Sequence, residues 1–274
     1  MKENESTQKE RVAAVFGRAA PTYDHTGRFA YFGRRLVDAA GLAPGARVLD
    51  VAAGRGAILF PAAEQVGPGG KVTGIDLSEP MVQITAAEIQ RRGLAQAEFF
   101  CMDAERLTFE PASFDAVFCG FCIQYFPNLE QTLSEFRRML RAGGVLALST
   151  WGQGDPRWTR LQKLRGSYGV GESLGGTRIR QRGDVESVMR KSGFEPVTVW
   201  TDEAEFTFGS ETEWWEDLWS SGPRAGLEQL DSDTRARFQR EAFERLQELR
   251  GPNGFAERRQ AIVGRGVNPE ANVG

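Results

Sequence analysis

Three aspartates stand where they could share one ligand. Asp50 lies just before a glycine turn in VLDVAAGRGAI (48–58), Asp76 ends VTGID 20 residues after Gly56, and Asp103 follows FFCM. A glycine turn between strand and helix lets backbone approach a ligand closely, and phosphates are the usual guests. Here the phosphate patterns fail: the dinucleotide form G-x-G-x-x-G has Leu59 in place of its last glycine, and no Gly-Lys-Ser/Thr is present. A carboxylate is repelled by a pyrophosphate but attracted by an ammonium or sulfonium group. Asp50 therefore points to a cationic ligand. Asp76 is spaced to accept hydrogen bonds from both hydroxyls of a ribose, and Asp103 to accept from an adenine amino group.

Such a site needs neighbouring strand ends, and the pattern supplies them. Short apolar runs at 47–51, 71–75, 97–101, 114–119 and 145–150 alternate with amphipathic segments at 57–66, 78–92 and 129–140, as in a sheet with crossover helices. Ser78 is placed as the N-cap of the second segment, with Pro80 in its first turn. Upstream, 11–16 and 29–40 read as helices. Downstream, glycine-rich loops at 151–158 and 169–183 surround a short helix near 158–167, followed by a helix at 184–192 and a strand from 195 to 201 that can extend to 208. Helical sequence covers about 211–250, and 259–267 alternates like a final strand. The prediction is an α/β fold with a doubly wound, mostly parallel sheet. If the final strand re-enters that sheet, the preceding helices form a cap over its carboxyl edge, where open α/β sheets bind ligands.

Composition removes several function classes. The 274 residues contain 34 Lys and Arg against 37 Asp and Glu, a net charge of −3 that gives nucleic acid no general attraction. No run of about 18 apolar residues is present to span a membrane, and the opening MKENESTQKER is not the basic-then-apolar leader of an exported chain, so a cytoplasmic setting is expected. A single histidine, His25, excludes a multi-histidine metal site. Cys101, Cys119 and Cys122 read as reduced thiols, with neither a zinc half-site nor a disulfide framework expected.

VLDVAAGRG, VTGIDLSEPMV, FCMDAERL, SFDAVFCGFCIQYFPN and LRAGGVLALSTWG resemble, in order, the motifs of the class I S-adenosylmethionine-dependent methyltransferases. The segment VFGRAAPTYD resembles the amino-terminal motif of the quinone-type, small-molecule group, methyltransferase type 11. The likeness spans about residues 12–151. It implies a seven-stranded Rossmann-like sheet divided into an N-terminal helical lid (1–30), a cofactor-binding core (31–151), and the remaining strands (152–274) with an inserted helical cap at about 209–253. It implies S-adenosylmethionine as cofactor, with Asp50, Ala52, Ala53, Gly54 and Gly56 around its methionine end and Cys119 near the amino group. Asp76 would hold the ribose, with Leu77 and Met81 against the adenine. Asp103, beside Met102 and Ala104, would take the adenine amino group, and Tyr23 would reach over from the lid. Ala52 stands where the family usually has glycine, and Arg55 where it has a small residue.

A sulfonium methyl is already activated, so catalysis needs mainly alignment and exclusion of water. Should the acceptor be a hydroxyl, His25 is the one side chain with an ordinary pKa near neutrality, and it joins Tyr23 as a catalytic candidate. The span FTFGSETEWWEDLW concentrates aromatic residues that either anchor the cap or wall a pocket with Phe16, Tyr31, Phe32, Gln124 and Tyr125; in the second case Trp214 and Trp215 face the acceptor. The expected reaction is methyl transfer by direct displacement to a small apolar or aromatic molecule, such as a natural product, quinone-like phenol or lipid-like acceptor. The alternative is a protein that binds the same cofactor and steers a non-methylating step such as a cyclisation.

Overall fold

The structure is a computed structural model and describes residues 2–171, 174 and 179–269, with side chains from Thr7 onward. In chain order it runs α1 (Lys2–Ala19), α2 (Arg28–Ala40), β1 (Arg47–Val51), α3 (Leu59–Val66), β2 (Lys71–Asp76), α4 (Glu79–Arg91), β3 (Ala97–Cys101), β4 (Phe114–Gly120), α5 (Leu129–Met139), β5 (Leu140–Trp151), α6 (Thr159–Ser167) and α7 (Arg182–Lys191). It closes with β6 (Val197–Phe208), α8 (Glu211–Trp219), α9 (Arg224–Leu227), α10 (Ser232–Gln247) and β7 (Phe255–Val267). The loop expected at 169–183 falls partly outside the described residues.

One seven-stranded sheet has the order β3-β2-β1-β4-β5-β7-β6, parallel except for β7, which is antiparallel to both neighbours. The central strands are apolar at nearly every position because both faces are covered. Phe32 and Leu36 of α2, Leu59 of α3 and Val82 of α4 pack on one face, while Leu133 and Phe136 of α5 and Val185 and Met189 of α7 pack on the other. This is the doubly wound, Rossmann-like arrangement expected. The final strand does re-enter, between β5 and β6, so α8, α9 and α10 leave and return at the carboxyl edge of the parallel strands. They hold a separate cluster, in which Trp214 and Leu218 meet Phe238, Ala242 and Leu246 of α10 and Leu161 of α6.

Two local expectations change. The first helix extends to Lys2 although its opening residues have no apolar period; Lys9 anchors it, with Nζ 2.7 Å from Asp103 and 2.5 Å from Glu105. Ser78 occupies the N-cap of α4 but makes no capping bond, and its buried hydroxyl has no hydrogen-bond partner among the described residues. A β-carbon at Gly17 of α1 would come 3.1 Å from that hydroxyl, so the glycine is what allows α1 to pack onto α4. No helix among the described residues is long and apolar enough to cross a membrane.

Candidate active site

At the carboxyl edge lies a cavity of about 530 Å³. One end is built by the strand-to-helix turns of β1, β2 and β3, where Ala52, Gly54, Asp76, Leu77, Met81, Met102, Asp103 and Ala104 all line it. The last six are the residues that the sequence resemblance placed around a nucleoside, and Ala52 and Gly54 are among those it placed at the methionine end. Asp76 joins the turns: Oδ2 accepts from the Gly54 N–H and Oδ1 from the Ser78 N–H, both at 2.9 Å. Burial raises its pKa, and the two amides offset part of that rise. Asp103 is more occupied than expected, with Oδ1 accepting from the Glu105 N–H and Oδ2 held by Lys9. Burial opposes the charge on Lys9, but its hydrogen bonds to the two carboxylates outweigh this and raise its pKa.

Asp50, Ala53, Gly56 and Cys119 lie behind the wall rather than in it. Among the described residues neither carboxyl oxygen of the buried Asp50 has a well-formed hydrogen bond; burial raises its pKa well above the usual range, and the nearby Leu59 amide offsets only part of the rise. A carboxyl group stranded beside a glycine turn suits a cationic ligand, whose arrival would supply the missing countercharge. Gly54, at φ +52°, leaves the turn open: a β-carbon there would meet the Tyr23 ring at 3.7 Å. On these grounds the residues present fit S-adenosylmethionine.

Tyr23 and Asp24 have separate jobs. The Asp24 carboxylate accepts from the backbone N–H groups of Phe29 and Ala30, at 2.9 and 2.8 Å, and so caps the start of α2. That fixes Tyr23, whose ring stacks on Phe29 at 5.0 Å with 10° between planes. Burial first, then Tyr125 and Asp24, push the Tyr23 hydroxyl well above its ordinary pKa. Arg55 also finds its explanation: Nη1 donates to the Ala20 carbonyl at 2.6 Å, tying the glycine turn to the amino-terminal segment.

Ala52 sits at φ +53°, a left-handed conformation that costs an L-residue about 1–2 kcal/mol. Ala52→Gly is therefore expected to raise stability by about 0.5–1 kcal/mol after the added freedom of the unfolded chain is counted, with cofactor affinity unchanged. Denaturant melts and calorimetry with S-adenosylhomocysteine check both halves.

The other end of the cavity is walled by Phe16, Phe29, Phe121, Gln124, Tyr125 and Trp151, with Leu218 from α8. Phe121 and Trp151 stack at 4.0 Å, and Phe121 is itself at φ +56°. Of the residues proposed from sequence for the acceptor, Phe16, Gln124 and Tyr125 line the cavity and four do not. Tyr31 is exposed and packs on Phe206, on another face of α2 from Phe29, while Phe32, one turn after Phe29, is core and packs from the same face onto the Phe121 and Trp151 rings. Trp214 and Trp215 point into the cap's own cluster, where Trp215 meets Phe238 and Phe243.

His25 is exposed in the turn before α2 and does not line the cavity. Loss of a general base costs about 10²–10⁴-fold in rate, whereas His25→Ala is expected to leave turnover within about twofold. Steady-state kinetics of that variant decides the point.

Sequence reasoning missed a set of charges beside the aromatic wall. Arg28 and Asp217 form an ion pair that is almost wholly buried, and Arg28 Nη2 also donates to Ser221 Oγ at 3.1 Å. Arg259 Nη2 lies 2.6 Å from Glu257 Oε2. Arg165 of α6 completes the group, and burial together with the nearby Arg259 lowers its pKa to about 10, still charged at neutral pH. Scattered over more than 200 residues, these side chains carry no local motif. A nearer signal was passed over: Cys119 and Cys122 have Cys-x-x-Cys spacing, and their buried sulfurs lie 2.9 Å apart. The structure describes both as free thiols.

Comparison with known proteins agrees with this geometry. Residues 48–144 match the family model described as a methyltransferase domain. The chain is 35% identical to nocamycin O-methyltransferase of Saccharothrix syringae over 81% of its own length and 86% of that protein's. It is 38% identical to aklanonic acid methyltransferase of a Streptomyces species over 53% of its length and 67% of that protein's. The YcgJ protein of Bacillus subtilis shares the fold, with a TM-score of 0.60 at 18% identity over 88% of this chain and 100% of that one. The cradle of Asp76, Gly54 and the stranded Asp50, together with this ancestry, makes the protein an enzyme that uses S-adenosylmethionine. The chain belongs to the small-molecule group of the class I S-adenosylmethionine-dependent methyltransferases.

Proposed function

We propose that the protein transfers the methyl group of S-adenosylmethionine to an oxygen of a small, largely apolar acceptor, by direct displacement. The observation that carries this is the continuity of one cavity from the three aspartate turns to the aromatic wall under the inserted helices. The names of the two relatives, one an O-methyltransferase and both acting on small molecules, support oxygen as the methylated atom. When bound, the cofactor supplies an activated methyl carbon. Asp76, Leu77, Met81, Met102, Asp103 and Ala104 hold its nucleoside, while Tyr23, Asp50, Ala52, Ala53, Gly54, Gly56 and Cys119 shape the methionine end. Residues 1–30 act as a lid over the core of 31–151, and 209–253 as the cap within 152–274. Phe16, Phe29, Tyr125 and Trp151 then exclude water and orient the acceptor, which is most of what this reaction asks of a protein. A cytoplasmic setting is part of the reading and agrees with three free thiols.

The test uses S-adenosylmethionine carrying a trideuterated methyl group and a panel of hydroxylated and carboxylated aromatic compounds. A small product heavier by that methyl, formed in step with S-adenosylhomocysteine, is expected. An acceptor that rearranges while the cofactor stays intact would overturn the reading in favour of a non-methylating reaction.

A further inference from the structure

We infer that the acceptor enters as a carboxylate held by Arg165 and leaves as its methyl ester. This rests on the reading of the cavity as a methyl-transfer site and adds the chemical class of what it takes. At the acceptor end three guanidinium groups, those of Arg28, Arg165 and Arg259, face two carboxylates, Asp217 and Glu257. Two of the three have a carboxylate at ion-pair distance: Arg28 has Asp217, and Arg259 has Glu257, whose Oε2 nevertheless makes no well-formed hydrogen bond among the described residues. Arg165 is the one left over. Among the described residues its side chain donates no hydrogen bond, and its Nε is buried without a partner while the residue lines the cavity. An unpaired guanidinium in such a place is costly unless an anion completes it. The exposed Arg180, also in the lining, adds to the positive field.

The chemistry agrees. A hydroxyl acceptor must lose a proton, and the lining offers little to take it. Burial keeps Tyr23, Tyr125 and Cys122 protonated, Asp217 is hydrogen-bonded to Arg28, Glu257 lies against the positive charge of Arg259, and His25 lies outside. A carboxylic acid, with an ordinary pKa near about 4, arrives already ionised. Its oxygen forms the new bond to the methyl carbon as the carbon–sulfur bond breaks, the electron pair stays on sulfur, and no proton moves. An anion and a sulfonium become a neutral ester and a neutral thioether. The ester no longer attracts Arg165, so the site distinguishes acid from product.

The experiment begins with wild-type protein saturated with S-adenosylhomocysteine and titrated calorimetrically with 2-naphthoate, its methyl ester and 2-naphthol. The acid is expected to bind at least about tenfold more tightly than either neutral compound, as one charge-assisted contact implies. Arg165→Met should abolish that preference, Arg165→Lys should keep part of it, and neither should alter the affinity for S-adenosylhomocysteine. Equal or weaker binding of the acid overturns the inference. So does a loss of S-adenosylhomocysteine affinity in Arg165→Met, which would give Arg165 to the cofactor's own carboxylate. The wild-type comparison decides alone should the variants fail to fold. Turnover of 1-hydroxy-2-naphthoate separates the two readings: an alkali-labile ester supports both, an ether at the phenol keeps methyl transfer and overturns the carboxylate, and preferential binding of 2-naphthoate with no methylated product in any panel keeps the anion site and overturns methyl transfer.

Discussion

Asp217→Ala is expected to destabilise the protein by about 3–5 kcal/mol, lowering its melting temperature by roughly 10 °C. The reason is what remains behind. Burial opposes the charge on Arg28, and Asp217 more than restores it, so that Arg28 is held above its ordinary pKa. Without the carboxylate the guanidinium keeps the hydroxyls of Thr26, at 2.9 Å, and Ser221, and the face of the Phe29 ring at 5.0 Å. The carboxylate that remains nearby, Asp24, acts without a direct contact, and water has little access. The damage extends beyond one pair, because Arg28 opens α2 next to Phe29 and Asp217 belongs to α8. Their contact ties the start of α2 to the cap. The double variant Arg28→Met/Asp217→Leu, apolar at both positions, is expected to regain most of the lost stability, since a well-packed apolar pair often matches a buried ion pair. Denaturant and thermal unfolding of the three proteins measure this. A loss below about 1 kcal/mol in Asp217→Ala would mean that water or a shifted side chain compensates Arg28.

Features that declare themselves within a few residues could be read from the sequence, and those that depend on distant partners could not. The strands at 47–51 and 97–101 were legible to the residue because their apolar runs end at turns. Asp76 and Asp103 could be placed at the cavity because position at a strand's carboxyl end already determines what they face, whereas Asp50, one residue inside β1, lies behind the wall. Trp214 and Trp215 were misleading: local sequence shows aromatic density, but the face of α8 that turns inward is chosen by Phe238, Ala242 and Leu246, which arrive on α10 some 20 residues later. With those partners taken, Asp217 and Leu218 are what α8 presents to the cavity. Lys9 was invisible for a related reason. Its helix has no apolar period at that point, and its partner Asp103 lies 94 residues away. The arginine group meets only because β7 returns to the sheet and carries Glu257 and Arg259 beside Arg28 and α6.

Asp76→Ala should weaken binding of S-adenosylhomocysteine by about 10²–10³-fold. An ionised or strongly polar carboxyl offers about four acceptor sites over its two oxygens. Gly54 and Ser78 use one on each oxygen, the Leu77 amide adds a weaker contact, and the capacity left on the cavity side is what the ribose hydroxyls would use. Hydrogen bonds to charged groups contribute about 1.5–3 kcal/mol each, and partial replacement by water brings two of them to about 3–4 kcal/mol. The alanine variant also releases the Gly54 amide, so the turn that faces the cofactor's methionine end loses its tie to β2. Asp76→Asn separates these effects: its single carbonyl oxygen can still accept from one amide, but its NH₂ group faces the other, and about tenfold of affinity should be lost. Binding of 2-naphthoate, whose proposed place is the other end of the cavity, should change little in either variant. Calorimetry with both ligands gives the comparison, and circular dichroism confirms that the sheet is intact. A loss of less than about threefold in Asp76→Ala would place the ribose elsewhere. It would also leave the spacing between Gly56 and Asp76, the strongest feature shared with dinucleotide sites, without a ligand to explain it. Asp50, behind the wall at the same turn, would then be the remaining feature that favours a cationic ligand over a pyrophosphate.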